Sequence, residues 1–379
     1  MRVLAAGDLF VLPALLDEAL RAELGAAADV RPLELPWPVT PFGPVAEVDE
    51  ASGTEDSLIE ALDGVRACVT QMAPITAKVL ENAPDLELVA VARGGPINVN
   101  VEAATAHGVQ VCYAPGRNAT ATAEYTVGLL LAALRRIPET HAALAQRGEW
   151  GGRYYTYDAT GLELEGTTVG LVGGGAVGSR VARILTGFGA DVQVYDPYLS
   201  DSGATAAPGA TPHTPRVGFA SSSVARGGAT PHTPRVGFAS SLDELLRRSK
   251  IVSLHARLTP ETRGLIGARE IGLMPSGSVL INCARGPLLD QDALCDALES
   301  GHLLAAGLDT FAEEPPPPGA RVFSVPGLVM TPHLGGASRA VAEKAARIVA
   351  AEVGRLHRGE PLAHCLNPHR LNPHRLNPS

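Results

Sequence analysis

Paired cysteines are missing from this 379-residue chain. Cys68, Cys112, Cys283, Cys295 and Cys365 are scattered without CxxC spacing. That pattern argues against a zinc ribbon and a disulfide framework, and for a reducing cytoplasm. A long basic run is missing too. The net charge is −9, and a nucleic-acid surface needs clustered Lys and Arg. No stretch is long enough to span a bilayer: the central apolar run YTVGLLLAAL (125–134) is too short. The N-terminus, MRVLAAGDLFVL, lacks the charged start and small-residue cleavage site of a signal peptide, and reads as a first strand and turn. No residue spacing calls for a metal.

What is present is ordinary for a soluble globular protein: 45% hydrophobic and 19% charged residues. The length allows two domains with cores of their own. Short apolar runs alternate with helical patterns. The first part offers strands at 2–7, 30–35, 66–70, 86–92 and 109–114, with helices at 13–24, 56–62, 75–82 and 100–107. A long helix is expected over 119–138, capped by Asn118, with Glu124 in its first turns. Further strands are expected at 167–173, 192–196, 251–256, 278–284, 304–310 and 328–333, with helices at 176–187, 242–249, 290–300 and 338–357. Val-, Ile- and Leu-rich strands alternating with helices imply an α/β fold with two parallel sheets.

Two stretches break that rhythm. GATPHTPRVGFASS occurs at 209–222 and again at 228–241. Two copies do not make a solenoid, so 199–241 is expected to be a surface loop enlarged by tandem duplication. The end, LNPHRLNPHRLNPS (366–379), has a proline every fifth residue, which forbids a regular helix. The tripeptide TPH appears in each copy of the duplication and again at 331–333. His213 and His232 have no strand before them, whereas His333 ends one.

GLVGGGAVGSRVARIL puts Gly173-x-Gly175-x-x-Gly178 after a strand and at a helix start. The first glycine allows a tight turn, the second lets backbone approach a pyrophosphate, and the third lets helix and strand pack closely. Gly173, Gly175, Ala176, Val177 and Gly178 are therefore expected at a dinucleotide, facing the helix N-terminus. Asp196 ends the next strand, 18 residues past Gly178, with no Arg after it. It would accept from both ribose hydroxyls and repel a 2′-phosphate, which favours NAD over NADP.

In open parallel sheets, ligands bind beyond the carboxyl ends of the strands. Those ends deliver Arg285, then Asp309 and Glu314, then His333. Together they suit hydride chemistry on a 2-keto acid. Arg285 would pair with the substrate carboxylate and polarise the keto oxygen. His333 would exchange the proton, and Glu314 would orient it and favour its charged form. Asp309 is placed to accept from the nicotinamide carboxamide, with Ala284 grouped beside it at the cofactor. Glu314 also sits in an acidic proline-rich turn, AEEPPPPG, where solvation is the alternative reading.

These motifs, together with RGGPINVNVEAATAHGVQVCYAPGRNATATAE (93–124) and SLHARLTPETRGLIG (253–267), resemble the D-isomer-specific 2-hydroxyacid dehydrogenases, the group that includes D-3-phosphoglycerate dehydrogenase. The resemblance covers nearly the whole chain outside 199–240 and the tail. It implies the Arg285, Glu314 and His333 catalytic set. It also implies a flavodoxin-like substrate domain made of 1–118 and 335–365. An NAD-binding Rossmann domain, 119–334, would be inserted into it and carry the duplicated loop 209–241, with 366–379 a flexible tail. Substrate would lie in the cleft, with its carboxylate on backbone N–H groups around Gly94 and Gly95, near Asn118. A homodimer through the NAD domain is implied, involving 119–138 and EWGGRYYTYD (149–158).

One departure concerns phosphate. Phosphoglycerate dehydrogenases carry an Arg-Ser-Ala-Thr-like stretch after the strand at 66–70. Here the chain reads TQMAPITAKVLE, with no basic residue until Lys78. Alternatives to a general D-2-hydroxyacid dehydrogenase are a D-3-phosphoglycerate dehydrogenase of serine biosynthesis and a non-catalytic, NAD-sensing corepressor-like scaffold.

Overall fold

The computed structural model describes residues 1–37, 43–157, 159–199 and 234–368. In chain order the elements begin β1 (Arg2–Gly7), α1 (Pro13–Leu24), β2 (Asp29–Glu34), α2 (Glu55–Ala61), β3 (Ala67–Thr70), α3 (Ala77–Glu81), β4 (Leu88–Val91), α4 (Val101–Ala106), β5 (Gln110–Tyr113), α5 (Ala119–Leu134) and α6 (Ile137–Arg147). They continue with β6 (Thr168–Val172), α7 (Gly178–Gly187), β7 (Asp191–Tyr195), β8 (Val236–Phe238), α8 (Leu242–Arg248), β9 (Ile251–Leu254), α9 (Ala268–Leu273), β10 (Ser278–Asn282), α10 (Gln291–Glu299), β11 (Leu303–Leu308), β12 (Leu328–Met330) and α11 (Arg339–Arg358). The chain divides into two compact units, residues 1–118 with 337 onward, and residues 119–336.

The first unit is built on five parallel strands in the order β2-β1-β3-β4-β5, the flavodoxin-like order. Strands β3 (ACVT) and β4 (LVAV) are buried at every position, as strands covered on both faces must be. One face packs Val3, Ala5, Val69 and Ala90 under Leu16 and Leu20 of α1 and Ala346, Val349 and Val353 of α11. The other face lies under α2, α3 and α4, through Leu58, Val79, Leu80 and Ala104. Ser338 caps α11 by accepting from Val341 N, and the helix stops at Gly359, which takes the left-handed conformation.

The second unit holds seven parallel strands in the order β12-β11-β10-β9-β6-β7-β8. The order reverses between β6 and β9, which is the Rossmann arrangement with its switch point at β6. Helices α5 and α7 cover one face through Leu130, Leu134, Val181 and Leu185. Helices α8, α9 and α10 cover the other through Leu245, Leu246, Ile271, Leu294 and Leu298.

Four expectations need correction. The helix expected over 119–138 is two helices. Arg136 adopts a left-handed backbone (φ 54°) and Pro138 sits in the first turn of α6. In a continuous helix Pro138 would lack the N–H owed to the Leu134 carbonyl and clash with it. The duplicated region is not loop throughout: the second copy supplies β8, which pairs with β7 through Val236, Gly237 and Phe238. The first copy, with His213, and His232 of the second copy lie outside the described residues. The second unit runs to Gly336, two residues beyond the expected 334, because Asp309 of that unit binds the amides of Leu334 and Gly335. Finally, the tail does not begin at 366. Asn367 is buried; its Oδ1 accepts from Val111 N at 2.9 Å, and its Nδ2 donates to Thr105 Oγ1 and Val109 O at 2.9 Å each. Residues 369–379 lie outside the described residues.

Asn367→Ala is expected to lower the unfolding free energy by about 2 kcal/mol, because it strands buried backbone partners. A urea titration unchanged from wild type would show that these bonds contribute nothing.

Candidate active site

The glycine turn leaves β6 at the switch point. Gly173 has φ +104°, and a Cβ on it would come within 2.8–2.9 Å of backbone atoms of His255 and Ala256. A Cβ on Gly178 would lie 2.1 Å from the Gly173 carbonyl oxygen. Both positions therefore exclude any side chain. Gly175 differs: a Cβ there meets nothing within 4 Å, so its bareness leaves room outside the turn. That is the cradle a pyrophosphate needs. Ala176 and Val177 continue the turn into α7. Asp196, past the end of β7, accepts from Gly174 N at 2.9 Å and Tyr198 N at 3.0 Å. Its carboxylate is thus fixed beside the glycines, and the residues present fit a dinucleotide.

The parallel strands put the ends of β10, β11 and β12 on the same rim. Their loops deliver Arg285, Glu314 and His333. His333 Nδ1 and Glu314 Oε2 are 2.7 Å apart, and the other Glu314 oxygen accepts from Phe311 N at 2.9 Å. Burial pushes the Glu314 carboxyl up. The hydrogen bonds from His333 and Phe311 and the charges of His333 and Arg285 outweigh that and hold it below its ordinary value. His333 Nε2 has no partner among the described residues. Arg285 is exposed, and its guanidinium donates to the Ala284 carbonyl at 2.7 Å. Ala284 is half-buried, its amide tied to Asn282 Oδ1 at 3.0 Å.

Asp309 has a role that the sequence reading missed. It is 1% exposed. Its Oδ1 accepts from Thr331 Oγ1 at 2.7 Å and Leu334 N at 2.8 Å, and its Oδ2 from Gly335 N at 2.7 Å. Its carbonyl accepts from His333 N at 2.9 Å. His333 sits between these bonds with φ 54°, a left-handed backbone unfavourable by about 1 kcal/mol or more for a residue with a Cβ. A carboxylate bound to three donors offsets that strain. Asp309 thereby fixes the loop that presents the imidazole.

His255 was also missed as part of the turn. Its Nε2 is buried without a partner, and burial holds its pKa down at about 4. In the first unit, Gly94, Gly95 and Asn118 follow the ends of β4 and β5. A Cβ on either glycine meets nothing within 4 Å, and neither amide has a partner among the described residues. Lys78, the first basic residue after β3, is committed to Asp56 at 2.7 Å and Glu55 at 3.4 Å. Among the described residues, no group of three or more His, Cys, Asp and Glu could hold a metal ion, and no helix is long and apolar enough to cross a membrane.

The doubly wound sheet and its glycine turn define a dinucleotide-binding α/β protein. A family model described as D-isomer specific 2-hydroxyacid dehydrogenase, NAD binding domain, matches residues 127–225 and 221–335. The chain belongs to the D-isomer-specific 2-hydroxyacid dehydrogenase family. It is 34% identical over 325 residues to the D-3-phosphoglycerate dehydrogenase of Methanocaldococcus jannaschii, covering 85% of this chain and 56% of that one. It is 32% identical over 313 residues to the glyoxylate reductase of Korarchaeum cryptofilum, covering 82% and 86%. The crystal structure of the TT0316 protein from Thermus thermophilus superposes with a TM-score of 0.70 at 30% identity, covering 97% of this chain and 100% of that one. The chain thus spans little more than half the length of the curated phosphoglycerate dehydrogenases it matches.

Two outcomes are expected. Gly175→Ala should leave the melting temperature unchanged yet weaken NADH binding by roughly tenfold or more, because the new methyl occupies the cradle; fluorescence titration measures it, and undiminished affinity would remove Gly175 from the site. The second concerns acid. His255 has a folded pKa of about 4, below its unfolded value of about 6.5. The unfolded state therefore binds the proton first as pH falls below about 6.5. Between pH 7.5 and 5 this one group should cost about 2 kcal/mol of stability. Urea titrations of wild type and His255→Asn at both pH values should show the variant losing less, and equal losses would contradict it.

Proposed function

We propose that the chain is an NAD-dependent oxidoreductase interconverting a small D-2-hydroxy acid and its 2-keto acid. The observation that carries this reading is the 2.7 Å contact between His333 Nδ1 and Glu314 Oε2, on the rim that also holds the glycine turn. The nicotinamide cofactor, when bound, would supply the hydride as NADH for reduction and receive it as NAD⁺ in the reverse direction. Ala284 and Asp309 would hold its nicotinamide end, and Asp196 would take the adenosine ribose hydroxyls. The keto oxygen of the substrate takes a proton from His333 Nε2 as negative charge develops on it, and the hydroxyl returns that proton on oxidation. Glu314 holds the Nδ1–H tautomer and stabilises the imidazolium. Arg285 pairs with the substrate carboxylate and polarises the keto oxygen. In the first unit, the amides of Gly94 and Gly95, unpartnered among the described residues, with Asn118 after β5, are candidates for binding a carboxylate.

The similarity to a glyoxylate reductase over 86% of its length supports a small 2-oxo acid as substrate. Trp150, Tyr155 and Tyr157, which follow α6, are 83%, 85% and 94% exposed. That apolar surface supports a homodimer formed through the second unit. Five unpaired thiols suit a reducing, cytoplasmic setting.

His333→Gln should lower kcat by roughly 10²–10⁴-fold with NADH affinity preserved. Glu314→Gln should lower it less, and Arg285→Ala should act mainly on keto-acid KM. Steady-state rates of NADH oxidation over a panel of 2-keto acids measure all three. Near-wild-type turnover in His333→Gln would sink the assignment.

A further inference from the structure

The first unit carries a cluster of buried polar atoms that the proposed chemistry does not use. Asp8 follows β1, Gln71 follows β3, Arg93 comes two residues after β4, and Arg117 comes four residues after β5. All of these strands are parallel, so the four residues share one rim of the sheet. Arg93 has its countercharge, because its guanidinium binds both the carbonyl and the carboxylate of Glu50. Arg117 is different. Its Nε and Nη1 are buried with no hydrogen-bond partner, and its guanidinium lies 5.8 Å over the Phe10 ring. Burial and the charge of Arg93 depress its pKa to about 10, with Asp8 alone pulling the other way, so it is still a cation at neutral pH.

A structural ion pair would bring Asp8 onto Arg117. Instead Asp8, fully buried, accepts on Oδ1 from the amides of Phe10 and Val11 at 2.8 Å each and leaves Oδ2 without a partner. Gln71 Oε1 is unpartnered as well. Two buried donors of a cation and two buried acceptors thus stand unmet on one rim, the rim that Gly94 and Gly95 also share. Buried polar groups are normally satisfied, and an isolated buried charge is strongly unfavourable. A guanidinium is matched best by the oxygens of a carboxylate or phosphate. The neighbouring acceptors are matched by hydroxyl donors on the same group. An aliphatic side group leaves all four atoms unmet.

We propose that Arg117, with Asp8 and Gln71, forms an oxyanion site of the first unit that takes a carboxylate or phosphate group of the 2-oxo acid, and so selects dianionic over monoanionic 2-oxo acids. This rests on the oxidoreductase reading above, and it puts the specificity-determining cation after β5 rather than after β3, where Lys78 is already paired.

The test uses the full chain with NADH. Pyruvate and 2-oxoisocaproate serve as monoanions, oxaloacetate and 2-oxoglutarate as dicarboxylates, and 3-phosphohydroxypyruvate as the phosphate. Wild type should favour the dicarboxylate or the phosphate arm by roughly 100-fold or more in kcat/KM, since a site built to hydrogen-bond a group rejects analogues lacking it. Which arm wins identifies the oxyanion. Arg117→Gln should collapse that ratio to below about tenfold, chiefly through KM, and Arg117→Lys should restore part of it. A wild-type preference for the monoanions would overturn the proposal. So would Arg117→Gln lowering both classes equally, which is what a merely structural arginine would do. If no acid oxidises NADH, the oxidoreductase reading fails by itself. Arg117 is then judged by melting curves in malonate and in inorganic phosphate: a rise in wild type that is lost in Arg117→Gln upholds the anion site, and no rise in wild type refutes it.

Discussion

Every strand pairing in both sheets is parallel, and that single constraint positions all the chemistry. A parallel sheet needs a crossover between successive strands, so each strand ends at the same edge and hands over to a loop there. In the second unit, that edge receives the glycine turn, Asp196, Arg285, Glu314 and His333 from five different strands. In the first unit it receives Asp8, Gln71, Arg93 and Arg117. Residues far apart in sequence meet because strand direction leaves them no other place. The sheets themselves need no functional residues; buried Val, Ile, Leu and Ala hold them between helices.

Upon that scaffold the loops are held by charge rather than by packing. Asp309 is the clearest case. It is buried, yet three donors and its own carbonyl bind the segment 331–335 and keep His333 in a backbone conformation it would otherwise avoid. Glu314 then meets the imidazole from the neighbouring loop. One carboxylate sets where the ring stands, and the other sets which nitrogen carries the proton. The two roles are separable, because Asp309 touches backbone and a threonine whereas Glu314 touches the ring.

The parallel sheets were legible in the sequence because strands and the residues that follow them are local pattern, whereas the flavodoxin-like and Rossmann arrangement was implied by the family resemblance. Apolar runs of five to seven residues marked the strands, and chemistry-bearing residues stood directly after them. Glu314 was legible because it stands in the loop that leaves β11, one loop away from His333. What escaped was fixed by partners distant in sequence. The bonds of Asp309 span 22 to 26 residues, and those of Asn367 reach back 256 to 262. Arg117 sits beside Asn118, and no periodicity announces that an arginine there is buried. Identical strings also hid β8. The second copy leads directly into α8, with its last residue, Ser241, as the helix cap, and it supplies β8.

The first unit is assembled from both ends of the described chain, and this dictates an order of events. The sheet face lined by Val3, Ala5 and Val69 is closed by α1 and by Ala346, Val349 and Val353 of α11. During synthesis the part of that face closed by α11 stays uncovered until more than 270 residues beyond Val69 have been made, whereas residues 119–336 are a continuous stretch that forms one compact unit. The inserted unit therefore completes first. It then acts as a folded spacer that shortens the loop the outer unit must close, replacing a random coil of over 200 residues with two fixed points. A lesion that slows the inner unit would delay the outer one as well, even where no atom of the outer unit has changed.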